Sequence, residues 1–126
     1  MGQGGEPHRS TLTAVTDLRP EDQKLVVLAR ATRARTGAAQ GAALRDLDGR
    51  TYAGATVDLP SLHVSAVGVV VSMALAGGSR GAEALVVLTE DEVADADLAV
   101  VRDFSGPGTP VLQGTPAGKV EAELSS

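Results

Sequence analysis

Chemistry at neutral pH needs a nucleophile, a proton carrier or a metal ligand, and this chain offers few of each. It has no cysteine. That excludes disulfides, thiolate nucleophiles and zinc sites that need sulfur. Its two histidines are His8 and His63, too few for a His-rich metal site. The densest carboxylates are Glu90, Asp91 and Glu92, followed by Asp95 and Asp97. Such a run could hold a divalent cation. It equally makes a solvated loop and a helix start whose charges suit the helix dipole, and that is the expected role. His63 with Asp95 and Asp97 is the one mixed His–carboxylate set, and His63 is expected at an ordinary polar position, a helix start or an interface. Ser65 has no triad spacing around it to make it a nucleophile. No metal or other cofactor is expected.

Charge and composition narrow the partners. The chain carries a net charge of −5, with 11 Lys+Arg against 16 Asp+Glu. Its one basic cluster is Arg30, Arg33 and Arg35, and Tyr52 and Phe104 are its only aromatics. A nucleic-acid binder needs a basic face and stacking rings, so no nucleic-acid partner is expected. The longest strongly apolar stretch, Val64 to Ala76, is too short to span a bilayer. Residues 1–16 lack the apolar core of a signal peptide. The expected setting is the cytoplasm, with no membrane partner. The absence of Asn excludes N-glycosylation.

With 126 residues, 43% of them hydrophobic, the chain can build one core. Residues 1–18 are rich in Gly, Ser and Thr without a period and are expected to be a flexible tail, leaving 19–126 as a single domain. Asp17 is a candidate cap for a helix over 20–36, which Pro20 opens and Gly37 ends. Residues 41–47 read as a strand, Asp48-Gly49 as a tight turn and 50–57 as the return strand. Pro60 and Ser61 are expected to open a helix over 61–76. That helix has almost no polar face, so it calls for burial on most sides, including against a neighbouring subunit. A continuous apolar run at 84–89 reads as a central strand. A helix over 91–104, a short strand over 110–113 and an edge strand over 119–124 with a frayed end complete the chain. The result is an α/β protein with a mixed sheet and helices on its faces.

These elements resemble the small tetrameric cytidine deaminases. Leu25-Val26-Val27-Leu28-Ala29-Arg30 and the following Ala31 to Arg35 resemble that family's first helix. Gln40-Gly41-Ala42-Ala43-Leu44, Asp48-Gly49 and Tyr52-Ala53-Gly54 resemble its hairpin. Ala84 to Leu88 resembles its central strand, and Val101 to Phe104 followed by Thr109 to Leu112 resembles a helix end and the next strand. The resemblance covers about residues 20–113. It implies a three-layer α/β/α fold with a mixed sheet of about five strands, a zinc-dependent deamination of a nucleoside, and a dimer or tetramer packed through helix 61–76.

The resemblance fails at the chemistry. The family's C-A-E falls on Ser65-Ala66-Val67, and its P-C-x-x-C falls on residues 93–97, with Ala94 and Asp97 in place of the cysteines. Neutral Ser is a poor zinc ligand and Val67 has no proton to exchange, so the metal that would activate water and the carboxylate that would shuttle protons are both expected to be missing. The family's ribose-binding Asn and Glu fall on Thr56 and Asp58, beside Gly41. Ser65, Val67, Ala94 and Asp97 are therefore expected to be degenerate positions, and Gly41, Thr56 and Asp58 a weakened substrate site. The leading expectation is a pseudoenzyme, homo-oligomeric, with a structural, binding or regulatory role. The alternatives are a nucleoside- or nucleotide-binding module and a residual deaminase-type hydrolase.

Overall fold

A computed structural model describes residues 17–126 of the chain. The tail expected over 1–18 lies outside them except for its end, where Leu18 packs half-buried against the core. Helix α1 spans Pro20–Thr36. Pro20 suits its first turn because the missing N–H would be unpaired there anyway. Glu21 and Asp22 lie in the first turn and Arg33 and Arg35 in the last, each sign complementing the dipole. The cap is not Asp17 but Arg19, whose carbonyl accepts from the N–H groups of Asp22 and Gln23. Leu25, Val26, Ala29 and Thr32 form the buried stripe, and Gly37 ends the helix at φ 68° with its N–H on the Arg33 carbonyl.

Strands β1 (Gly41–Asp46) and β2 (Thr51–Ala55) form the expected hairpin. The return strand is shorter than 50–57, because the chain leaves the sheet at Thr56. It then makes a second hairpin from β3 (Val57–Leu59) and β4 (Leu62–Val64), with Pro60 and Ser61 at its turn. This corrects the helix expected over 61–76: α2 spans Ala66–Ala76 and Ser65 is its cap. A Pro-Ser pair serves a hairpin turn as well as a helix start, and the Ser65 hydroxyl is a better N-cap than Pro60 could supply.

The rest follows the expected order, as β5 (Ala82–Leu88), α3 (Asp95–Ser105), β6 (Pro110–Gly114) and β7 (Val120–Ser125). Helix α3 starts later than residue 91, since Val93 is drawn into the core with its N–H held by the Gln113 side chain at 2.8 Å. The five-stranded sheet runs β2-β1-β5-β6-β7, parallel only between β5 and β6. That one parallel pair is joined by a crossover through α3, as parallel neighbours require. The end of the chain is not frayed. Ser126 is buried, its hydroxyl donates to the Gly106 carbonyl, and its N–H donates to the Thr109 carbonyl.

Helix α1 covers one face of the sheet over Ala43, Ala84, Val86 and Leu88. Helices α2 and α3 cover the other over Ala42, Leu44, Leu85, Val87 and Val111. The layers are α/β/α. Gly41 shows how closely α1 is set: a Cβ there would lie 2.5 Å from the Ala29 carbonyl oxygen and 2.7 Å from the Arg33 Cβ. Only glycine permits that approach.

Two charged residues end β1 inside this structure. Arg45 points to the α1 side, where its Nε donates to Glu83 at 2.8 Å and its Nη2 to Asp22 at 3.1 Å. Burial opposes its charge, but the hydrogen bonds and charges of Glu83 and Asp22 together hold it above its ordinary pKa. Asp46 is almost wholly buried and accepts from the Ser79 hydroxyl and, at 2.9 Å each, from the N–H groups of Asp48 and Arg50. The Ser79 hydrogen bond, with those two N–H groups and Arg50, holds the Asp46 carboxyl below its ordinary range despite its burial. A carboxyl depressed in the fold stabilises it above its unfolded pKa of about 4, and that contribution is lost as pH falls through the folded value. Asp46→Asn should therefore lower the melting temperature at pH 7. The gap to the unaltered protein should narrow as the pH is taken below about 4; thermal melts across pH check it, and a gap constant with pH would refute it.

Candidate functional site

The end of the sheet where β1 begins and β5 stops is also where α2 and α3 start. Ser65 caps α2 in an extended conformation, and its Oγ accepts from the Gly68 N–H at 3.0 Å. The same hydroxyl donates to Asp97 Oδ1 at 2.7 Å. Asp97 lies in the first turn of α3, whose own cap, Ala94, supplies no side-chain hydrogen bond. The Asp97 carboxylate thus sits where the N-terminal ends of two helices meet, a place that favours negative charge. It is buried, not part of a solvated acidic run as expected; Glu90, Asp91, Glu92 and Asp95 of that run are exposed.

A third element closes the site. Gln40, just before β1, accepts from the Ala66 N–H through Oε1 at 3.3 Å. One of the first free N–H groups of α2 is therefore held by a side chain from across the site, and another by Ser65. Val67 is fully buried among the residues between the sheet and the α2–α3 layer. Sequence reasoning placed Ser65 and Asp97 at one degenerate site but did not find their bond, and it missed Gln40 and Gln113. A Gln directly before or within a run of small and apolar residues is the only local sign of either.

Of the other expected residues, Thr56 and Gly41 border this junction through Gln40, while Asp58 and His63 are on the β3–β4 hairpin. The Thr56 hydroxyl accepts from the Gln40 N–H at 2.9 Å, and the Thr56 N–H donates to the Gln40 carbonyl at 3.1 Å. Asp58 and His63 face one another across the β3–β4 hairpin, with Asp58 Oδ1 and His63 Nδ1 2.8 Å apart and both exposed. His63 is on a strand, not at the start of a helix, and its carboxylate neighbour is Asp58 where Asp95 and Asp97 were considered. Gly41 is pressed against α1. Cavities at the N-terminal end of α1, beside α1 and β2, beside Arg33 and beside Arg80 are lined by other residues than Ser65, Val67 and Asp97.

A family model described as cytidine deaminase-like matches residues 18–118. The chain belongs to the cytidine deaminase-like family. Solved cytidine deaminases share its fold. That of Mycobacterium leprae is 22% identical, covers 84% of this chain and 94% of its own, and superposes with a TM-score of 0.65. That of Burkholderia pseudomallei is 27% identical over 79% of this chain and 88% of its own, with a TM-score of 0.68. That of Bacillus anthracis is 14% identical over 84% of both chains, with a TM-score of 0.62. No curated protein matches the sequence.

Membership of the cytidine deaminase-like family raises the question of zinc. Of the positions at which the sequence resemblance would put its ligands, Ala94 has no side-chain donor atom, Ser65 offers a neutral hydroxyl, and Asp97 alone carries a carboxylate. That carboxylate is already bonded to Ser65. Among the described residues no group of three His, Cys, Asp or Glu side chains is placed to hold a metal ion. This donor set does not fit a zinc ion. What the junction can do is tie α2 to α3. Ser65→Ala should cost at least about 0.5–2 kcal/mol, the usual range for losing an N-cap. A double-mutant cycle with Asp97→Ala should show a coupling of about 1.5–3 kcal/mol, the range for a hydrogen bond to a charged group. Chemical denaturation of the four proteins measures both, and strictly additive losses would mean the Ser65–Asp97 bond contributes nothing in solution.

Proposed function

We propose that this chain is a non-catalytic cytidine deaminase-like protein, acting in the cytoplasm as a homo-oligomer in a structural, binding or regulatory role. The observation that carries the reading is the 2.7 Å hydrogen bond from Ser65 to Asp97. The two positions that the resemblance places at metal ligands are bonded to each other instead. Val67, matched to the proton-shuttling glutamate, packs in the core and has no proton to move. Deamination by the family's route needs both an activated water and that shuttle, and this side-chain set supplies neither. A nucleoside-binding role through Gly41, Thr56 and Asp58 has less support, because Thr56 is bonded to Gln40 and Asp58 is paired with His63.

The homo-oligomer rests on the surface of α2 and the adjoining hairpin. Met73 is 41% and Leu75 56% exposed on α2, and Leu59 and Leu62 on the hairpin are 55% and 50% exposed. A contiguous patch of large apolar side chains marks a protein contact, and this helix with the hairpin before it is where we place that patch.

Elemental analysis of the purified chain should find far less zinc than protein, and incubation with cytidine should release no ammonia. Zinc in equal amount to protein, or ammonia above the protein-free control, would overturn the non-catalytic reading. Light scattering should give a mass above that of one chain. The paired change Met73→Glu with Leu75→Glu should shift it to one chain, and a monomer before any change would remove the oligomer from the proposal.

A further inference from the structure

A polar cavity of about 400 Å3 opens between the α1–β1 connection and the β5–α3 loop. Arg33, Gln40, Thr89, Glu90 and Asp91 are among the residues that line it. It shares Gln40 with the Ser65–Asp97 junction but none of the degenerate positions. Arg33 stands at its α1 side, in the last turn of the helix. Its Nε is shut off from solvent and has no hydrogen-bond acceptor. Among the described residues it is the one buried side-chain donor or acceptor left so. Buried donors are almost always paired, and an orphan calls for an absent acceptor. Glu90 and Asp91 bring carboxylates to the same cavity, yet neither forms an ion pair with Arg33. The loop that carries them is pinned by the Asp91 N–H on Thr89 Oγ1 at 3.1 Å.

We propose that this cavity binds a small zwitterion, with its carboxylate on Arg33 and its ammonium toward Glu90 and Asp91. The charges decide the class. A phosphate or a simple carboxylate would meet two carboxylates on the loop, and a simple amine would meet the guanidinium. A molecule with one charge of each sign, a few bonds apart, satisfies both sides. A carboxylate takes two parallel hydrogen bonds from a guanidinium when it lies along one edge. Nε, on one such edge, has no acceptor in the protein. Since Nε is shut off from solvent as it stands, the guanidinium must turn for that edge to meet the ligand. The inference stands whether or not the Ser65–Asp97 junction is catalytically silent.

The test uses the full chain labelled with 15N. It is titrated with 4-aminobutyrate, and separately with butyrate, butylamine and inorganic phosphate. 4-Aminobutyrate should shift the amides of residues 37–40 and 89–91 and bind about tenfold more tightly than butyrate or butylamine, a difference of about 1.4 kcal/mol. Arg33→Gln should abolish those shifts while keeping a cooperative melt. The paired change Glu90→Gln with Asp91→Asn should bring 4-aminobutyrate and butyrate to similar affinities, and it carries the test alone if Arg33→Gln does not fold. The proposal fails if 4-aminobutyrate causes no shift, if phosphate binds more tightly than 4-aminobutyrate, or if the shifts survive Arg33→Gln. It fails equally if they appear only around Ser65 and Asp97.

Discussion

Strands β1 and β5 lie in the middle of the sheet with helices over both faces, so polar groups placed on them or at their ends must find partners inside the protein. An unpaired polar group in such a place costs about 1–3 kcal/mol, and a lone charge more. Much of the architecture answers that constraint. At the β1–β2 turn, Arg45 and Asp46 point to opposite faces. Arg45 draws in Asp22 from α1 and Glu83 from β5, and Asp46 draws in Ser79 and the backbone of its own turn. The charges at this end therefore fasten α1 to the sheet and the segment after α2 to the first hairpin.

The other end of the same strands meets the constraint with helix starts. A helix leaves its first N–H groups unpaired, and here two helices begin against one another. Gln40 and Ser65 take N–H groups of α2, Gln113 takes the N–H that leads into α3, and Ser65 passes its own proton to Asp97. Partners from the residue before β1, from β6 and from both helix starts thus meet in one small region. Side chains from the surrounding elements satisfy the two helix starts here, and together they make a joint.

What could be read beforehand was set by range. Helix α1, the β1–β2 hairpin and β5 rest on neighbouring residues: the stripe Leu25, Val26, Ala29, the pair Asp48-Gly49, and the unbroken run 84–88. The α2 start was misplaced because Pro60-Ser61 suits a hairpin turn and a helix opening alike, and only the pairing of Val57 with Val64 decides between them. At the site, family spacing singled out Ser65 and Asp97, but not their bond, which joins residues 32 positions apart. Gln40 reaches 26 positions to Ala66, and Arg45 reaches 38 to Glu83. Such partners depend on how strands are ordered in the sheet, and no local pattern in the chain records that order. The buried end of the chain escaped for the same reason, since Ser126 is held by Gly106 and Thr109 from an earlier loop.

A hydrogen bond to a charged group contributes about 1.5–3 kcal/mol, whereas a structural zinc can contribute about 10–16 kcal/mol to folding. The Ser65–Asp97 bond could not replace an ion if the α2–α3 contact depended on one. It need not, because Val67, Val70, Val71, Leu98 and Val101 already join the two helices to the sheet through one apolar cluster. Fully burying each such side chain contributes about 1.5–3 kcal/mol, so a handful outweighs the polar joint several times over. The division of labour follows from those magnitudes. Apolar packing holds the helices in place, and the Ser65–Asp97–Gln40 contacts select the one register in which their starts are satisfied. A scaffold supported in that order can lose metal-binding side chains and keep its fold, provided that whatever stands in their place leaves no buried polar group alone.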